Sequence, residues 1–257
     1  EVGKLLILDW ETNAKTTANR LRRICAGLGV TAPSIRYRAC MRSLPDELPS
    51  IREEISREKI TCVMIDSIGF AMTGALTDDE TARGALACMR QMEPATRICV
   101  AHVNAATARD PKTPGRPFGS AFFWNGMRSG IEVRRAQDDQ IDGQIDVGLY
   151  HRKTNDGWHH KPVALQVAFD GLAGPIAFDM QSMTDVPDLQ TGTPLSSRIR
   201  QLLKMGAQNV NELAEELDEK PDIVRTTLHR MKDTVRLSSG GGKGQTSTWG
   251  LVDEHNA

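Results

Sequence analysis

Five polar residues stand where apolar runs stop. Asp9 and Glu11 follow the run from Leu5 to Leu8, Asp66 and Ser67 follow "CVMI", and His102 follows "RICVA". Open α/β sheets bind ligands outside the carboxyl ends of their strands, so acids placed there face a ligand more often than a core. Carboxylates in that position can hold a cation or orient a water, and an imidazole can exchange a proton near neutral pH.

The elements that must position these residues alternate. Leu5 to Asp9, "SIRYRA" from Ser34, "ITCVMID" from Ile60 and "ATRICVAHV" from Ala95 read as strands. Ala14 to Gly27, Asp46 to Glu58 and Asp78 to Met92 carry helical spacing. Gly29 is placed to end the first helix, and Thr77 to Glu80 reads as a capping box. Such alternation predicts an α/β fold with a mostly parallel sheet and helices on both faces. After a polar stretch rich in Pro and Gly from Asn104 to Gly119, strands dominate: "SGIEVRRA", "QIDVGLYHRK", "PVALQVAFD" and "GPIAFDM". These are expected to extend the sheet, partly antiparallel.

The stretch 181–195 has few large apolar residues and reads as a linker between domains at 1–180 and 196–257. Beyond it, apolar stripes mark three short helices: Ile199, Leu202 and Leu203; Val210, Leu213, Ala214 and Leu217; Ile223, Val224, Leu228 and Met231. "VRLSSGGGKGQTSTWGLV" then reads as a hairpin with a glycine-rich tip. Three short helices and a hairpin resemble a winged helix-turn-helix.

Composition narrows the function classes. The 257 residues carry a formal charge of -1, so no global field draws the chain to nucleic acid or membrane, and such binding must come from local patches. Cys25, Cys40, Cys62, Cys88 and Cys99 follow no metal-ligand or redox spacing and read as reduced thiols of a cytoplasmic protein. No apolar run approaches a membrane span, so no membrane partner is expected.

Two local patches stand out. Arg109, Lys112 and Arg116 precede Phe118, Phe122, Phe123 and Trp124, and cations interleaved with aromatic faces suit a single strand of DNA. The competing reading packs Phe122 and Phe123 inside a helix from Ser120 to Arg128. In the C-terminal segment the second helix is acidic, whereas Arg225, Arg230 and Lys232 on the third, with Lys243 at the hairpin tip, fit a duplex groove. A protein-docking role fits the same module.

The phosphate loop G-x-x-x-x-G-K-[ST] is absent. "GGGKGQTST" from Gly240 has Gly after its Lys and sits at a hairpin tip. The ordered set Asp9-Trp10-Glu11, "VMIDS", "VAHVN" and "HRKTNDG" nevertheless resembles the RecA-like ATPases, especially the hexameric replicative-helicase branch of RepA and DnaB type. That resemblance covers roughly Leu5 to Asp179. It implies ATP and Mg2+ as cofactors, with Glu11 activating water, Asp66 holding the metal, and Asp9 and Ser67 near the nucleotide. It also implies His102 as a γ-phosphate sensor, and Arg152 and Lys153 reaching a neighbour's nucleotide in a homo-oligomeric ring.

Each position also has a plainer reading: Glu11 as a helix-start acid, Asp66 as a turn residue, His102 as a satisfied core histidine, Arg152 and Lys153 as strand-edge charges. The expected function is an ATP-dependent motor or loader acting on DNA in replication or recombination. Its phosphate loop is expected upstream of residue 1, because a strand, loop and helix need roughly 30 residues. The rivals are a dinucleotide enzyme, whose glycine-rich loop is also missing, and a DNA-binding regulator built on a non-hydrolysing ATPase-like scaffold.

Overall fold

The computed structural model describes residues 3–103, 113–136, 143–237 and 247–252. The chain divides into two compact units, Glu1–Leu189 and Gln190–Ala257.

Unit 1 opens with β1 (Leu5–Asp9), α1 (Ala14–Gly27), β2 (Ile35–Ala39), α2 (Leu44–Glu58), β3 (Cys62–Asp66), α3 (Ile68–Ala71), α4 (Asp79–Arg90) and β4 (Thr96–Cys99). The four strands pair in parallel in the order β2-β1-β3-β4, with Asp9 opposite both Ala39 and Asp66. The chain runs from β1 outward to β2, returns over β1 to β3, then continues to β4. Right-handed crossovers therefore put α1 on one face and α2 and α4 on the other.

Strand alternation sorts the apolar side chains between these faces. Leu6, Leu8, Val63 and Ile65 are buried against the α2 stripe of Leu44, Leu48, Ile51 and Ile55 and against Ala82, Ala85 and Met89 of α4. On the other face α1 buries only Cys25. It packs instead on the second sheet, where Arg23 Nε donates to the Gly174 carbonyl at 2.6 Å and Nη2 to that of Gly171 at 2.8 Å.

Local signals set most boundaries. Asn13 caps α1 by accepting from the Thr16 amide at 3.0 Å, and Gly29 follows its end at φ +63°. α2 starts at Leu44, two residues before the expected Asp46, because Pro45 suits a first-turn position. The cap of α4 is Asp78 accepting from Thr81, one residue later than the expected box.

The later strands form their own sheet, which corrects the expectation that they extend the first. After α5 (Ala121–Gly126) come β5 (Ser129–Arg135), β6 (Gln144–Thr154), β7 (Val163–Phe169) and β8 (Ile176–Gln181), antiparallel in sequence order. The reason lies in the connection. Phe118 donates its amide to the His102 carbonyl and Ser120 to that of Leu76, so the chain turns back over the first sheet before β5 begins. A cavity of about 310 Å³ separates β4 from β5, lined by Cys99, Val100, Trp124, Met127, Ile131 and Val133.

The stretch read as a linker is partly ordered into unit 1. A 3-10 turn (Met183–Asp185) leads to α6 (Pro187–Gln190), Val186 and Leu189 pack with Ala136 and Ala164, and the Tyr150 hydroxyl donates to the Leu189 carbonyl.

Unit 2 comprises α7 (Leu195–Met205), β9 (Gln208–Asn209), α8 (Val210–Glu216), α9 (Pro221–Arg230), β10 (Thr234–Leu237) and β11 (Thr248–Leu251). The expected hairpin is present as β10 paired with β11, and β9 adds an unexpected short third strand to β11. Asn209 and Glu212 form a capping box at α8. Its core is Ile199, Leu203, Leu213, Ala214, Leu217, Val224, Leu228 and Trp249. No helix among the described residues is long and apolar enough to cross a membrane.

Candidate functional site

Connections leave β1 in one direction and β3 in the other, so the order of the parallel sheet reverses between these two strands. A crevice forms at the carboxyl ends of strands at such a switch point. Glu11, Asp66, Ser67 and His102 converge there.

Ser67 is fully buried and its hydroxyl donates to Glu11 Oε1. His102 Nε2 lies 3.6 Å from the same oxygen, with the imidazole 66% exposed, which removes the reading of a satisfied core histidine. Glu11 Oε2 accepts no hydrogen bond among the described residues. The Asp66 carboxyl is pushed above the ordinary carboxylate range, first by burial, then by the charges of Glu11 and Asp9, with Arg20 and His102 opposing. The crevice therefore brings the Glu11 and Asp9 carboxylates close enough to Asp66 to disfavour its ionisation further.

Asp9 behaves differently from its partner across the sheet. Its carboxylate accepts from the amides of Glu11 and Thr12 at 2.8 Å, from the Thr12 hydroxyl at 2.5 Å and from the Tyr37 phenol at 3.1 Å. Burial raises its pKa, and these donors outweigh burial, so the carboxyl sits below its ordinary value. At 3% exposure Asp9 builds the turn that presents Glu11, rather than meeting a ligand itself.

The cations assigned to a neighbour's site are engaged within their own chain. Glu132, 8% exposed, accepts from Arg152 Nε at 2.6 Å and from Arg134 Nη2 at 2.7 Å. Burial opposes its ionisation, but the two arginines hold its pKa below the usual range. Lys153 Nζ donates to the carbonyls of Trp124 and Asn125 at 2.8 and 2.9 Å. Sequence reading missed this cluster, although an acid inside the strand "GIEVRR" was its one visible signal.

Arg109, Lys112 and Lys243 lie outside the described residues. Arg116 is exposed with its guanidinium 5.8 Å from the Trp124 ring centroid, and Lys153 Nζ approaches the same ring at 5.8 Å. Phe123 is buried as the helix reading expects, whereas Phe122 is 41% exposed under the Arg83 guanidinium at 4.2 Å. In unit 2, Arg225 pairs with Asp222 at 2.7 Å, while Arg230 and Lys232 are exposed.

Fold and site together define an α/β protein with an acidic crevice at the switch point of a parallel sheet. No protein-family model and no curated protein matches the chain.

Proposed function

We propose that unit 1 is the catalytic part of a RecA-like, ATP-dependent motor or loader acting on DNA, assembled as a ring. The observation that carries this reading is the convergence of Glu11, Asp66, Ser67 and His102 at the switch point.

A metal-bound nucleotide fits part of the crevice. A divalent cation would offset the burial, and the charges of Glu11 and Asp9, that raise Asp66. Among the described residues no cluster of three or more His, Cys, Asp or Glu could hold a metal alone. That suits Mg2+, which is usually bound by one or two carboxylates together with substrate phosphates. The phosphate cradle does not fit: the 257 residues contain no phosphate-loop motif. On this reading the strand of such a loop belongs at the gap between β4 and β5.

When bound, Mg2+ and ATP supply the phosphoanhydride and neutralise its charge. This chain's residues do the rest. Ser67 fixes one oxygen of Glu11, leaving Oε2 to accept a proton from water, and His102 stands beside the same carboxylate as a donor to an oxyanion. Arg152 and Lys153 reach a neighbour only by leaving Glu132 and the α5 carbonyls. Unit 2, with three helices and a hairpin, supports a winged-helix reading and duplex binding.

The test uses protein that carries a phosphate-loop segment. Glu11→Gln is expected to keep ATP binding and lose hydrolysis by about 10²–10⁴-fold, the usual contribution of a positioned base. Hydrolysis at the parental rate would leave Glu11 as a helix-start acid. The 257 residues alone are expected to turn over no ATP.

A further inference from the structure

An open cleft of about 620 Å³ in unit 2 lies between the start of α7 and the end of α9, lined by Ser196, Arg200, Thr227, Arg230, Lys232 and Asp233. Three cations and one carboxylate face it. The carboxylate is already committed: Arg200 donates to Asp233 through Nε, and through Nη2 at 3.1 Å. That bond, against an opposing effect of burial, holds the Asp233 carboxyl below its ordinary value. One of the three cations is therefore neutralised and two are not.

Arg230 and Lys232 are exposed and have no acidic partner among the described residues, unlike Arg198, paired with Glu219, and Arg225, paired with Asp222. Helical spacing separates them further. Thr227 and Arg230 are three apart on one face of α9, whereas Arg225 is turned about 140° from Arg230 at about 100° per residue. Thr227 spends its proton on the Ile223 carbonyl, leaving Ser196 as the hydroxyl donor at the cleft. Ser196 sits in the first turn of α7, where backbone amides lack intrahelical acceptors.

We propose that this cleft binds a phosphate oxyanion, with Arg230, Lys232 and Ser196 as donors beside the Arg200–Asp233 pair. The cleft is larger than one phosphate, so it accommodates a sugar-phosphate backbone as well as a free phosphate. The site stands without the nucleotide reading of unit 1, and none of its tests involves ATP.

The full chain, labelled with nitrogen-15, is titrated with inorganic phosphate, and separately with fluorescein-labelled duplex DNA across a salt series. Phosphate is expected to shift the Ser196 and Lys232 amides saturably, and the Arg230→Ala/Lys232→Ala variant to abolish the shifts. Both side chains are exposed, so amide spectra can confirm that the variant is folded. For duplex DNA, the same variant is expected to lower affinity and flatten the salt slope by about 0.9 per lost phosphate contact. Phosphate shifts with unaltered DNA affinity assign the cleft to free phosphate. A DNA effect without phosphate shifts assigns it to the DNA backbone. No saturable phosphate shift, together with identical DNA titrations for parent and double variant, overturns the proposal.

Discussion

Asp9 and Asp66 are paired across adjacent strands yet differ in electrostatics, and the difference is measurable as stability against pH. Asp66 has a folded pKa raised above its unfolded value near 3.8 by burial and by like charges. Its ionisation disfavours the folded state, so its contribution is lost as pH rises from the unfolded value through the folded one. Asp66→Asn should therefore raise the melting temperature at pH 7, with the gain vanishing below the ordinary carboxylate range. Asp9 has the opposite sign: its stabilisation is present above the unfolded value and is lost as pH falls through its depressed folded pKa. Asp9→Asn should cost about 1–3 kcal/mol at pH 7, because its Oδ1 can still accept from the two amides but its NH2 group cannot accept from the Thr12 and Tyr37 hydroxyls. Thermal melts of both variants across pH check the pair, and shifts of the same sign at pH 7 would refute the assignment. The strand-end positions of Glu11, Asp66 and Ser67 were legible in sequence because apolar runs and the polar residues ending them are local. That Asp9 is consumed by Tyr37 was not, since this bond follows from the pairing of β1 with β2.

At the scale of elements, most strands and helices were readable from period and caps, but the grouping of strands into sheets was not. Which strand lies beside which depends on where a connection delivers the chain, and the tie from Ser120 to Leu76 joins residues far apart in sequence. The α1–β8 contact is of the same kind. Gly27 ends α1 against β8 so closely that an added Cβ would stand 1.9 Å from the Ile176 carbonyl oxygen. Backbone cannot yield as a flexible side chain does, so Gly27→Ala should force α1 away from β8 and weaken the Arg23 bonds to Gly171 and Gly174. The expected loss is about 1–3 kcal/mol, the usual cost of overpacking. Chemical denaturation measures it. A midpoint equal to the parent's would mean that α1 and β8 are not in fixed contact.

At the scale of the whole molecule, the division at Leu189/Gln190 leaves each unit with a core of its own. Domains of about 60 residues bury only about 60% of the surface that their unfolded chains expose, so the stability of unit 2 alone is expected to be modest. Eight buried side chains drawn from three helices and β11 are nevertheless gathered into one cluster, with Arg198 and Arg200 tying α7 to Glu219 and Asp233. The segment Gln190–Ala257 should therefore fold by itself. Trp249 is the sole aromatic of the Phe, Tyr and Trp class in that segment, 6% exposed and edge-on to His229 at 5.0 Å, so intrinsic fluorescence of the isolated segment reports this core alone. Emission should move to longer wavelength in one cooperative step in urea. Leu228→Ala should abolish that step, since removing a fully buried leucine costs about 2–5 kcal/mol, comparable to the whole stability of so small a domain. A gradual, non-cooperative change in the parent segment would show that unit 2 depends on the rest of the chain for its fold.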